Sequence, residues 1–134
     1  MRKDIPIYEL DEVGLALIPE DDSKLGRLWV AHLVNLKDYP LKNVLVSVEG
    51  KGRLNGAERK TSVLRYLLPE VPALGSSQIE VLLPDVMKIN NYFWVSFSHE
   101  NYMFDKKFLV PEDAAEVMEL QGIPVLHQEG LWFD

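Results

Sequence analysis

Hydrophobic and polar positions alternate in short runs along this chain, and turn residues separate the runs. Val13 to Ile18, VGLALI, reads as a first strand closed by Pro19, followed by a polar loop from Pro19 to Gly26. Arg27 to Leu36, RLWVAHLVNL, reads as a second. Leu28, Val30, His32 and Val34 share one of its faces, and Trp29, Ala31, Leu33 and Asn35 the other, because successive side chains on a strand point to opposite sides. Both faces carry apolar residues, which predicts a central strand. Asn43 to Glu49 alternates as well, with Val44, Val46 and Val48 inward and Ser47 and Glu49 outward. Gly50 and Gly52 suggest a bulge or bend. Asn55-Gly56 marks a hairpin tip, because both residues tolerate positive φ, and Thr61 to Leu68 follows as the next strand.

Beyond a loop from Pro69 to Ser77, the run Gln78 to Leu83 is expected to turn Ile79, Val81 and Leu83 to one side. Then comes NNYFWVSFSHENYMFDKKFLV, Asn90 to Val110, with seven aromatic residues and a histidine. It divides into a strand, Tyr92 to Ser98, a turn, His99 to Asn101, and a return strand, Tyr102 to Val110. Phe93, Val95 and Phe97 form a uniformly apolar face that must be core. Tyr92, Trp94, Ser96 and Ser98 form a mixed face. With Asp105 and Lys107 toward water, Tyr102 and Phe104 are expected to pack inward or against the neighbouring strand. Most of this aromatic mass is therefore cross-strand packing, each pair contributing roughly 0.2–1 kcal/mol. Tyr92 and Trp94 have a second reading, as anchors of a contact surface, since Tyr and Trp dominate interface hot spots.

The period changes at Pro111. PEDAAEVMELQG, Pro111 to Gly122, reads as a short helix, with Pro at its start, Glu112 and Asp113 on the positive end of its dipole, an apolar stripe of Ala114, Val117 and Met118, and Gly122 as its stop. IPVLHQEGLWFD predicts either a small hairpin around Gln128 to Gly130 or an extended tail docked on the sheets. Leu131, Trp132 and Phe133 then meet either their own domain or a partner. The whole pattern of short strands at regular spacing predicts an all-β protein. The expected organisation is one domain over residues 1–134, with a sandwich core over 13–110 and a helix and tail over 111–134.

Composition changes this picture only in a few places. A chain of 134 residues with 47% hydrophobic and 26% charged content is ordinary for a globular domain and needs no disulfide staples. It has no cysteine, which excludes a thiolate metal site and a cysteine nucleophile. Asp4, Glu9, Asp11 and Glu12 interrupt any apolar leader at the N-terminus, and no stretch approaches the roughly 20 apolar residues of a membrane span. A cytoplasmic protein without membrane partners is therefore expected. The net charge of −7 argues against a nucleic-acid partner, because phosphates are bound through Lys and Arg. Lys51/Arg53 with Arg59/Lys60, and Lys106/Lys107, are short and read as solvated surface.

The candidate chemistry is sparse. His32, His99 and His127 do not stand at metal-ligand spacing from one another. His32 reads as a half-buried histidine of a strand face. His99-Glu100 with Asp105 could in principle collect a cation. The pairs Asp21-Asp22 and Glu112-Asp113 diverge and make no catalytic dyad. Ser76-Ser77 lacks a nucleophile elbow, and Gly50-x-Gly52 is not a phosphate loop. No cofactor and no catalytic residue are assigned.

From Arg27 to Val110, about two-thirds of the chain, the stretches LWVAHLVNLKDYPLKNVLVSVEG, PALGSSQIEVLLP and NYFWVSFSHENYMFDKKFLV resemble an immunoglobulin-like antiparallel β-sandwich of the cytoplasmic or bacterial accessory type. The antibody Cys…Trp…Cys pattern is absent. The resemblance implies a non-enzymatic interaction or accessory module that binds a protein partner or itself. Its candidate contacts are Tyr92, Trp94, Leu131, Trp132 and Phe133. The alternative is a small-molecule binder or minor enzyme with a pocket between the sheets or under the C-terminal helix, using His32, His99 and Asp105.

Overall fold

The computed structural model describes residues 7–9 by their backbone and residues 12–134 in full. The N-terminal stretch that bears on a leader lies largely outside the described residues. Among the described residues, eleven strands form two sheets: β1 (Ile7–Glu9), β2 (Val13–Asp22), β3 (Gly26–Asn35), β4 (Leu41–Leu54), β5 (Ala57–Lys60), β6 (Leu64–Val71), β7 (Gly75–Leu82), β8 (Asn90–His99), β9 (Tyr102–Val110), β10 (Gln121–Gly122) and β11 (Glu129–Phe133). Sheet A runs β1-β9-β8-β4, and β5 and β6 both pair with the far edge of the long β4. Sheet B runs β10-β11-β2-β3-β7. Among the described residues, all pairings are antiparallel except β1 with β9.

The two sheets close on one core. Leu15, Leu17, Trp29 and Leu33 from sheet B meet Val44, Val46, Val48, Phe93, Val95 and Phe108 from sheet A. The alternation in the two clearest strands thus follows the sequence: Val44, Val46 and Val48 point inward, as do Phe93, Val95 and Phe97. β3 is central, between β2 and β7. Asn55 (φ 55°) and Gly56 (φ 78°) form the two-residue tip joining β4 to β5, and Glu100 and Asn101, both also at positive φ, form the tip joining β8 to β9. Two successive left-handed residues match the twist of a hairpin.

Several expectations need correction. β2 does not stop at Pro19 but runs on to Asp22. There β11 no longer pairs with it, since that ladder ends at Leu17, and an edge position tolerates proline. β6 likewise passes through Pro69 as an edge strand, so the loop before β7 shrinks to residues 72–74. Gly50 and Gly52 do not bulge. Gly52 pairs regularly with Arg59, and the irregularity falls across from Glu49 and Gly50 at residues 61–63, where Thr61 Oγ1 accepts from the Gly50 N–H at 2.7 Å. The glycines instead leave room for the Ile89 side chain.

In β7, Ile79 has no partner between Gln78 (opposite His32) and Glu80 (opposite Ala31). This bulge reverses the alternation, so Ile79 and Leu82 are buried while Val81 and Leu83 are exposed. Of the two packings expected for Tyr102, the inward one does not occur: it stands at the strand end and is exposed.

The helix shortens to a single turn, α1 (Ala114–Val117). Asp113 is left-handed at φ 58° and Met118 is already extended, because only Ala114 finds a fully buried place and one turn of helix is marginal alone. Val117, expected on an apolar stripe, is 73% exposed. The chain then crosses to sheet B, where β10 and β11 pair as a hairpin around residues 123–128 and β11 docks on β2. The tail is thus docked and also forms a hairpin, but the turn expected around Gln128 to Gly130 falls earlier, since Glu129 and Gly130 already pair with Gly122 and Gln121. Ile123, Val125, Leu126 and Trp132 cover Ala16, Ile18 and Val34 on the outer face of sheet B. Among the described residues, no helix is long and apolar enough to cross a membrane.

Candidate functional site

The tail covers part of the outer face of sheet B. Among the described residues, no element packs on the outer face of sheet A, and strand register arranges its side chains in rows. One row runs across four strands: Arg65 on β6, Ser47 on β4, Trp94 on β8 and Lys107 on β9. On one side lies the row Leu67, Leu45, Ser96 and Asp105. On the other lie Glu49, Tyr92 and Leu109, and beyond them Lys60 and Lys51. Neighbouring strands stand about 4.8 Å apart, so residues in a row are neighbours on one face. Ser47, Glu49, Lys51, Val63, Arg65, Tyr92, Trp94 and Lys107 together line a groove of about 570 Å³.

Trp94 is 46% exposed, yet its orientation is held from two sides. Its indole N–H donates to Asp105 Oδ2 at 3.1 Å, and Lys107 Nζ stands 4.4 Å from the ring centroid. A cation over an indole face is attracted by the ring's negative centre. Tyr92, two residues away on the same face, is 38% exposed, with Lys51 Nζ at 6.0 Å from its ring. Glu49 between them carries ion pairs to Lys51 at 3.2 Å and Lys60 at 3.8 Å. Exposed leucines flank the aromatics: Leu45, Leu67 and Leu109. Among the described residues, neither Arg65 nor Lys107 has a carboxylate partner.

The other candidates fall elsewhere. Leu131 is fully buried in the shared core. Phe133 packs against that core, and Trp132 turns to the other side of β11, over Gly14. His32 sits half-buried on the outer face of sheet B, opposite Ala16, and burial lowers its pKa. His99 ends β8 and stacks on Tyr39 with ring centroids 4.6 Å apart. Asp105 is on the outer face of sheet A, bonded to Trp94. The structure therefore does not bring His32, His99 and Asp105 together. Among the described residues, no three His, Asp or Glu side chains gather at a spacing that could hold a metal ion. A cleft of about 220 Å³ does lie beside α1, lined by Arg27, Trp29, Lys88, Asp113 and Glu116 among others. None of the three pocket candidates reaches it, and it is smaller than the usual ligand pocket.

Tyr92 and Trp94 were legible as an exposed pair from alternation alone. Ser47 was read only as an outward position and Lys107 only as solvated surface, and Arg65 was not singled out. Their signal is the same period of two on three other strands, but it becomes a site only once register aligns them. Compared with protein-family models, with curated proteins and with solved structures, the chain matches none.

Proposed function

We propose that this chain is a non-enzymatic protein-interaction domain of immunoglobulin-like topology that engages its partner through the outer face of sheet A. The support for the topology is strand order. β2, β3 and β7 lie together in one sheet, while β6, β4, β8 and β9 lie in that order in the other. Lettered A to G along the chain, with β6 taken as C′, these are the A-B-E and C′-C-F-G groupings of such sandwiches. Fold alone does not carry a function.

The observation that carries the function is the Tyr92/Trp94 pair on a strand with neighbours on both sides, exposed and held in place. Aromatic anchors contribute most when the free protein already presents them in the bound geometry, since less rotamer freedom is then lost on binding. Trp94 meets that condition through Asp105 and Lys107.

Affinity capture with the wild-type chain beside Tyr92→Ala/Trp94→Ala tests the proposal. A protein enriched by the wild type and lost with the double variant is the expected result. A captured set unchanged by the double variant would overturn the assignment of this face.

A further inference from the structure

We infer that the partner docks an acidic stretch of polypeptide carrying large apolar side chains on this face, with carboxylates meeting Arg65, Lys107 and the β4–β5 hairpin. The inference rests on the reading of sheet A as the interaction face and names the chemistry that face selects.

Charge is the first ground. The chain carries fourteen Lys and Arg against twenty-one Asp and Glu. Six of those cations, Lys51, Arg53, Arg59, Lys60, Arg65 and Lys107, gather at the groove and the hairpin beside it, where, among the residues described in full, Glu49, Glu58 and Asp105 are the acids. The patch is thus basic on a molecule that is otherwise strongly acidic. Such asymmetry steers an acidic partner toward the patch and away from the rest of the surface.

The existing ion pairs sharpen this. Glu49 is already shared by Lys51 and Lys60, Glu58 lies 3.9 Å from Arg53, and Asp105 holds the Trp94 indole. Among the described residues, Arg59, Arg65 and Lys107 have no carboxylate. Arg65 and Lys107 stand at the two ends of the row that has Trp94 inside it. An arginine fork and an ammonium flanking an aromatic anchor suit carboxylates on either side of an apolar side chain.

Apolar surface decides between a polypeptide and a nucleic acid. Bases stack on open aromatic faces within a continuous basic groove. Here Lys107 already stands over the Trp94 ring, Glu49 and Asp105 interrupt the basic track, and exposed Leu45, Leu67, Leu109 and Val63 border it. Leucine and valine give a nucleotide little, whereas they pack well against Leu, Phe or Trp of a peptide.

The test is selection of a random-peptide display library on the full chain, counter-selected on Tyr92→Ala/Trp94→Ala. Synthetic copies of the winners are then titrated against the labelled protein, watching the Trp94 indole resonance. The expected winners are acidic and contain Leu, Phe or Trp. They shift that resonance, and they bind about tenfold more weakly to Arg65→Gln/Lys107→Gln and at raised salt. Winners that depend on Tyr92 and Trp94 but are neutral or basic would overturn the partner chemistry and leave the interaction face standing. No winner dependent on the aromatic pair, together with capture unaffected by its removal, would overturn both. An oligouridylate that shifts the indole when no peptide does would replace the peptide with a nucleic acid. Self-association abolished by Trp94→Ala would replace it with a second copy.

Discussion

Gly14 and Trp132 are a fitted pair: a β-carbon on Gly14 would overlap the far edge of the Trp132 indole. The contact closes the tail over the outer face of sheet B, because Trp132 lies beside Ala16 and next to the cluster of Ile18, Val34 and Ile123. Gly14→Ala should therefore destabilise the protein by about 1–3 kcal/mol, the usual range for overpacking. Trp132→Leu in the same chain should recover part of that loss by making room. Urea midpoints of the two single variants and the double variant measure it, and strictly additive losses would show that the two residues do not communicate.

Asn35 offers a second test. It is fully buried at the end of β3, and its amide ties three segments together. Nδ2 donates to the carbonyls of Tyr39 at 2.9 Å, Pro72 at 3.0 Å and Val71 at 3.4 Å, while Oδ1 accepts from the Lys37 N–H at 2.9 Å. Asn35→Ala removes the partner of one buried and three partly buried backbone groups, at about 1–3 kcal/mol for a group left unsatisfied. Asn35→Asp should be worse at neutral pH, because a carboxylate would face carbonyl oxygens. Thermal unfolding of both variants orders them, and an Asp variant as stable as wild type would contradict this account of the network.

How far the chain could be read before its structure was known depends on what each signal needs. Val44 to Val48 and Phe93 to Phe97 needed only alternation within one strand, and their faces follow it. Asn55-Gly56 needed only local turn chemistry. Val81 and Leu83 were misplaced because a bulge at Ile79 reverses the faces, and no residue there announces it. Val117 was misplaced because Pro, Glu, Asp and Ala signal a helix start, while the chain is drawn into an extended ladder with β11 soon after. Of the candidate site, Tyr92 and Trp94 were legible as an exposed aromatic pair. Arg65, Ser47 and Lys107 come from strands far apart in sequence, and only their register puts them in one row.

The response to pH should have two opposite components. Glu80 accepts from the Tyr66 hydroxyl at 2.5 Å, linking edge strands β6 and β7. Burial raises the Glu80 pKa, against the lowering effect of the Tyr66 hydrogen bond. The same burial, with Glu80 adding to it, pushes the Tyr66 hydroxyl up to about 12. A raised carboxyl value means that the folded state keeps the Glu80 proton longer than the unfolded chain does. Its contribution is complete below the ordinary value of 4.5 and is lost as pH rises through the folded value. Glu80→Gln keeps an acceptor for Tyr66 and cannot ionise, so its stability relative to wild type should increase as pH rises across that window. His32 acts in the other direction. Burial lowers its pKa, so its contribution is present above the ordinary 6.5 and lost as pH falls through the folded value. His32→Gln should gain on wild type toward acid. Denaturant midpoints of the three proteins across the acid-to-neutral range test both signs, and parallel curves would remove both assignments.

The sharpest contrast lies between two adjacent residues. Phe93 is buried in the core between the sheets, and Trp94 faces outward from the next position on the same strand. Phe93→Ala removes a core ring and should cost about 3–5 kcal/mol. Trp94→Ala removes cross-strand contacts with Lys107 and Asp105, which are worth about 1 kcal/mol or less. The melting temperature should fall steeply for the first variant and barely for the second, while partner capture should fail with the second despite an intact fold. A large loss of stability from Trp94→Ala would mean that the indole belongs to the structure of sheet A. Loss of binding at unchanged stability requires the opposite: Asp105 and Lys107 hold that ring in place for something outside the chain.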